Sequence, residues 1–222
     1  ELALWPDGAM TMFHGEKGTT WEGGFRIPMM VRWPGVVQPG TTYNDIVSLL
    51  DWFPTLSAAA GAPDVKERLA KGLSTGGHSF KVHLDGYNLI PHLTGKDQKS
   101  PRKGFLYFTD DGDVAALRYD NFKVAFLEQR TQGTMQVWTE PMVPLRVPKI
   151  FNLRTDPYEF ADVTSNTYWD WIFDHVFILV PAQALVGQFL ATLKEFPPRQ
   201  KAASFSIDQV VEKMMTAATN TT

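Results

Sequence analysis

The chain has 222 residues, of which 44% are hydrophobic and 20% charged, a globular balance that excludes a disordered chain and allows one large domain or two small ones. It has no cysteine, which excludes a disulfide framework, thiolate zinc sites and a cysteine nucleophile within these residues. The formal net charge is −3 and no Lys/Arg run occurs, so nucleic acid is not an expected partner.

In chain order, Gly15–Gly24 is rich in Gly and Thr and reads as tight turns. The apolar run Ile27–Trp33, stopped by Pro34-Gly35, reads as a strand covered on both faces of an α/β sheet. Ile46–Leu50 leads into Asp51-Trp52-Phe53-Pro54, where Asp51 is placed to cap a helix that Gly61 ends. Residues 64–82 are polar and Gly-rich and read as a surface loop. After residue 100, Phe105–Thr109 and Val114–Tyr119 flank Asp110-Asp111-Gly112-Asp113, a hairpin turn whose acidic spacing is too compressed for an EF-hand. Phe122–Leu127, Met135–Trp138 and Lys149–Leu153 read as further short strands. Helical stretches follow at 169–195 and 207–217, the second with Ser206 and Gln209 in capping-box spacing. Val176–Leu193 carries no charge and is barely long enough to span a bilayer. Its apolar residues recur at helical spacing, so the expectation is a buried helix of a soluble chain, with no membrane span. No stretch has the order of a secretory signal.

Chemistry is sparse. Gly-x-Ser-x-Gly, a P-loop, a dinucleotide fingerprint and His-Glu-x-x-His are all absent. The five histidines are scattered and read as surface or hydrogen-bonded structural residues, with His83 and Asp85 a weak pair. The densest segment is Gly15-Glu16-Lys17-Gly18-Thr19-Thr20-Trp21-Glu22-Gly23-Gly24-Phe25-Arg26-Ile27-Pro28. Its glycines would let backbone amides approach an anion, with Lys17 adding charge and two Thr hydroxyls adding donors. A Gly-rich turn with a solvated lysine accounts for the same residues equally well.

This segment, with Val31-Arg32-Trp33-Pro34-Gly35, closely resembles the type I, formylglycine-dependent sulfatases, the arylsulfatases. Asp51-Trp52-Phe53-Pro54-Thr55-Leu56 with Ala60-Gly61 is similar to the family's Asp-x-x-Pro-Thr-Leu helix. Asp85-Gly86 through Pro91, with Leu93-Thr94-Gly95, resembles its Asp-Gly…Leu-x-Pro segment, and Phe151-Asn152-Leu153 with Asp156-Pro157-Tyr158-Glu159 its C-terminal motif. The matches keep family order over about residues 5–165.

The resemblance implies an alkaline-phosphatase-like α/β fold: the tail of a large mixed sheet, then a small antiparallel sheet packed with C-terminal helices. It places residues 1–100 at the C-terminal end of the catalytic domain and 101–222 in the C-terminal subdomain. It implies a parent enzyme that hydrolyses sulfate esters with calcium and formylglycine, in a periplasmic or secreted setting. Lys17 matches the lysine that contacts sulfate, and His14 and Thr19 are candidate substrate contacts near it. The sequence departs from the family in having no Cys/Ser-x-Pro-x-Arg, and the calcium-binding Asp-Asn is expected just before Trp5-Pro6-Asp7-Gly8, ahead of Glu1. The chain alone is therefore expected to hold no metal and to be inactive. A non-catalytic scaffold and a carbohydrate- or protein-binding module with a row of exposed Trp are the alternatives. Missing neighbours around Ile27–Trp33 would make the isolated chain self-associate, with that strand and the Asp51–Gly61 helix at the interface.

Overall fold

The computed structural model describes residues 11–131 and 136–198. Trp5–Gly8 and the expected helix at 207–217 lie outside the described residues. The front of the chain forms short elements: α1 (Glu22–Phe25), α2 (Trp52–Ala59), α3 (Val65–Lys71), the two-stranded hairpin β1 (Leu73–Thr75) and β2 (His78–Phe80), and α4 (Ile90–Leu93).

Three expectations change here. Residues 64–82 are a helix and a hairpin, not a loop. Val65 and Leu69, four apart, bury one face of α3, and Gly76-Gly77 turns the hairpin with both φ angles positive, at 57° and 78°. Ile27–Trp33 forms no strand. Apolar residues make a strand only when a neighbour supplies the other half of the ladder, and Pro28 removes one donor. Ile27, Met29 and Met30 are exposed, Met30 at 99%. The large mixed sheet expected of this region is thus not built among the described residues. Asp51, in turn, makes no cap bond to α2. Ser48 caps the preceding turn, and its own amide donates to Asp51 Oδ2 at 2.8 Å.

The back of the chain is an antiparallel sheet in the order β3 (Gly104–Phe108), β4 (Val114–Tyr119), β5 (Phe122–Glu128) and β6 (Val143–Asn152). The predicted hairpin turn forms, with Thr109 N–H donating to Asp113 O at 3.0 Å and Gly112 at φ 88°. Between β5 and β6, Gln136–Thr139 is a helical turn, α5, where a strand was expected. Its Val137 packs inward and Gln129 Nε2 donates to Glu140 O at 2.8 Å, closing a local turn in place of a ladder.

Register aligns Leu106, Leu117, Val124 and Ile150 in one row across all four strands. Side chains alternate faces along a strand, so the neighbouring rows, Tyr107–Ala116–Ala125–Lys149 and Phe105–Arg118–Lys123–Phe151, point the other way. The first row packs with a helical layer: α6 (Ala161–Thr164), α7 (Tyr168–His175), a 3-10 turn at Val176–Ile178 and α8 (Leu179–Glu195). Tyr168, Ile172 and Ala182 are buried against the sheet, with Ile178, Leu179, Leu185 and Val186 beside them. Only that stripe is covered. Phe173, Val176, Phe177, Val180 and Leu190 are exposed, so the stretch is a one-sided surface helix and not the buried one expected. Tyr168–Glu195 is 28 residues, long and apolar enough to cross a membrane by length and composition, yet its inner stripe is part of the sheet's core.

Candidate functional site

Residues 11–26 lie over the polar-bearing face of the sheet and are stitched to it by charge. Glu22, carried by α1, is buried and receives Lys123 Nζ at 3.3 Å, Arg118 Nη1 at 3.2 Å and Arg26 Nε at 2.8 Å, with the Tyr107 hydroxyl donating to Oε1. Lys123, on β5, is 0% exposed and also reaches Glu159 Oε1 at 2.6 Å and Thr20 O at 2.6 Å. Burial raises the Glu22 pKa, but Lys123, Tyr107 and the two arginines outweigh it and hold the group below its ordinary value. For Glu159 burial wins over Lys123, and its pKa is pushed up to about 7. Burial beside Glu22 drives the Tyr107 hydroxyl well above its ordinary value. None of these partners was visible in the sequence, because Arg118 and Lys123 sit where strand alternation reads as solvent-facing.

The loop's own donors are turned inward. Thr19 N–H and Oγ1 donate to Glu16 O at 3.0 and 2.6 Å, Gly23 N–H to His14 O at 2.7 Å, and Gly24 N–H to Trp21 O at 2.9 Å. Thr20 Oγ1 donates to Leu127 O at 3.3 Å, and Glu22 N–H to Glu159 Oε2 at 2.6 Å. A Cβ at Gly23 would collide with the carbonyl oxygens of Phe13, His14 and Gly15, so this glycine serves close packing. An anion cradle made from these amides and the two Thr hydroxyls is therefore not what this segment builds.

Lys17 differs from its neighbours. It is exposed, at the rim of a cleft of about 610 Å³ that Thr19, Phe25, Phe108, Asp110 and Trp138 help to line, with Nζ 5.0 Å from the centre of the Trp138 ring. His14 belongs to a second cleft, of about 540 Å³. Its ring stacks between Trp21 and Phe160 at 4.6 and 4.7 Å, and Nδ1 lies 3.3 Å from Glu159 O. Burial lowers its pKa. In the same cleft Lys149 bridges Glu128 and Asp162 at 2.6 and 2.7 Å; burial opposes its charge, yet the two carboxylates raise its pKa. Thr19 lines both clefts, so the structure does not gather Lys17, His14 and Thr19 into one pocket. The His83–Asp85 pair forms at 3.3 Å beside Phe196.

A second buried centre was also missed. Asp51, fully buried, takes Arg102 in a fork at 2.6 and 2.8 Å and accepts the amides of Ser48 and Tyr87. Arg102 further donates to Asp85 O at 2.8 Å and Gly104 O at 3.1 Å. The residue read as a helix cap is the anchor that ties α2, the 85–87 segment and the start of β3 together.

Calcium and formylglycine find no fit in the groups on view. Among the described residues no three His, Asp or Glu side chains converge to hold a metal ion, and Glu22 is engaged by cations of the protein itself. The chain has no cysteine, and no serine in a Ser-x-Pro-x-Arg setting, to convert.

Comparison with known proteins agrees with the resemblance. Residues 7–62 match the sulfatase family model. The chain is 38% identical to human arylsulfatase A over 156 residues, 64% of this chain and 27% of that protein. It is 35% identical to mouse steryl-sulfatase over 114 residues, 51% of this chain and 16% of that protein. The crystal structure of PsFucS1 sulfatase from Pseudoalteromonas sp. superposes with a TM-score of 0.64 at 27% identity, covering 85% of this chain and 34% of that one. The chain is thus similar to the sulfatases in sequence, and its fold is of the corresponding alkaline-phosphatase-like class. More particularly, it is similar to human arylsulfatase A and mouse steryl-sulfatase while spanning only 27% and 16% of their respective lengths.

Proposed function

We propose that the chain supplies the sulfate-contacting cation of an arylsulfatase-like sulfuric ester hydrolase, and that Lys17 is that cation. One observation carries this reading: within the segment matching the sulfatase family, Lys17 stands exposed at a cleft rim while the donors around it are turned into the fold. An ammonium there meets the negative charge on sulfate oxygens, which is where electrostatic stabilisation acts in ester cleavage. The test is amine acetylation of the 222-residue chain with and without inorganic sulfate, at constant ionic strength. Sulfate should protect Lys17 selectively; equal modification in chloride and sulfate overturns the reading. In a complete sulfatase carrying this segment, Lys17→Ala should lower turnover by about 10²–10³.

The chain alone is proposed to hydrolyse no sulfate ester, since one lysine without a nucleophile cannot run the displacement. With a chromogenic aryl sulfate and calcium it should give background only, and turnover that follows the chain through purification overturns this. Residues 1–100 are proposed as part of a catalytic α/β domain and 101–222 as its C-terminal subdomain, in a periplasmic or secreted protein. A carbohydrate-binding module has less support, because Trp138 and Trp169 are exposed on different helices and Trp21 is buried. Self-association is proposed through the exposed Ile27, Met29, Met30, Leu49, Phe53 and Leu56, by apolar contact instead of strand pairing. Light scattering should give a mass above the 25.0 kDa of one chain; a monodisperse monomer overturns it.

A further inference from the structure

The loop that carries Lys17 is held at both ends by one distant residue. The carbonyl oxygen of Glu159 lies 3.3 Å from His14 Nδ1, three residues before Lys17. Glu159 Oε2 accepts the amide of Glu22, five residues after it, at 2.6 Å. The other carboxylate oxygen pairs with Lys123 Nζ at 2.6 Å, and Lys123 in turn donates to Thr20 O, so the same carboxylate also supports the middle of the loop. Glu159 is fully buried and adopts a left-handed backbone, φ 56°, which glycine would enter at far less cost. A turn alone does not call for a buried ionisable side chain in that conformation. What glutamate adds is the carboxylate that reaches Glu22 and Lys123.

We propose that Glu159 is the positioning residue for Lys17, clamping His14 and Glu22 so that the ammonium is presented at the cleft rim. Its meaning for sulfate rests on the reading of Lys17 given above; the clamp itself does not. Glu159 acts through the loop, with no contact to sulfate required.

Hydrogen exchange on the whole 222-residue chain tests it, comparing wild type with Glu159→Gly, Glu159→Asp and Glu159→Gln. Glu159→Gly keeps the backbone turn and deletes the carboxylate, so amides of residues 17–24 should exchange about tenfold faster while β4 and β5 keep wild-type protection. Glu159→Asp, one methylene shorter, should loosen the same amides even where the glycine variant fails to fold. Glu159→Gln, with an acceptor of the same reach, should restore most of the protection. Unchanged exchange at 17–24 in the Gly and Asp variants overturns the clamp. Equal acceleration in β4 and β5 also overturns it, because it would show a general loss of stability. Acetylation of Lys17 in each variant with inorganic sulfate is the second arm, and protection should weaken at least about threefold wherever exchange rises. If sulfate fails to protect wild type while the exchange result holds, the sulfate reading falls and the clamp stands.

Discussion

Two buried charge centres hold this molecule, and they are built differently. Around Asp51 one carboxylate meets one guanidinium in a two-point fork, and both carboxylate oxygens also receive backbone amides. Around Lys123 one ammonium is shared by two carboxylates, with Arg118, Arg26 and Tyr107 crowding onto Glu22. A planar fork suits a fixed bidentate partner, whereas an ammonium is a point charge that can serve several acceptors. The first arrangement locks architecture near α2 and β3. The second leaves Glu159 only partly compensated for burial, and it lies beneath the Lys17 loop. Full satisfaction goes with scaffold, and incomplete compensation goes with the candidate site.

The largest effect should come from breaking the fork. Arg102→Ala leaves Asp51 buried without its partner and should cost about 3–5 kcal/mol, read from urea unfolding. Arg102→Lys, which cannot form the fork, should recover only part of this. A loss below about 1 kcal/mol in Arg102→Ala would remove the distinction between the two centres.

The shared centre should instead reveal itself through pH. An exposed glutamate releases its proton near 4.5, while folded Glu159 retains it to about 7. The folded state therefore binds the extra proton in that window, and the Glu159 contribution to stability is present at acid pH and lost as pH rises towards 7, by up to about 3 kcal/mol. His14, with its pKa lowered by burial, works in the opposite sense, since its contribution is lost as pH falls through its ordinary 6.5. The Glu22 contribution is likewise lost on acidification, but below the ordinary value of 4.5. The informative quantity is thus the wild-type profile minus that of Glu159→Gln, measured by urea unfolding between pH 5 and 8. A flat difference would show that Lys123 and the Glu22 amide compensate Glu159 fully for its burial.

The smallest effect is expected at Lys17. Lys17→Ala removes an exposed side chain and its contact with Trp138, and should change unfolding free energy by only about 0.5 kcal/mol, read from urea unfolding. A large destabilisation would make Lys17 part of the scaffold and erase the contrast with the buried lysine.

Local information was enough for the elements whose signals are local. The β3–β4 hairpin follows from an Asp-Asp-Gly-Asp turn between apolar runs, and α2 from Pro54 in its first turn and Gly61 beyond its end. The motif around Lys17 was legible for the same reason: the resemblance lies in contiguous residues. Elements that depend on a neighbour were not legible. Ile27–Trp33 has strand-like composition, but a ladder needs a second strand, and none pairs with it among the described residues. The uncharged stretch Val176–Leu193 reads as a buried helix from the helical spacing of its apolar residues, yet the sheet covers only one stripe of it. The two charge centres were hidden most completely. Asp51 and Arg102 are 51 residues apart, and Glu22 and Glu159 are 137 apart. Sequence by itself determined the hairpin, the α2 stop signals and the lysine-bearing motif, because each depends on backbone preferences a few residues long. Only the tertiary structure decided which charges are buried, which carboxylate holds the Lys17 loop, and which apolar face stays open, because pairing and burial depend on residues that chain folding alone brings together.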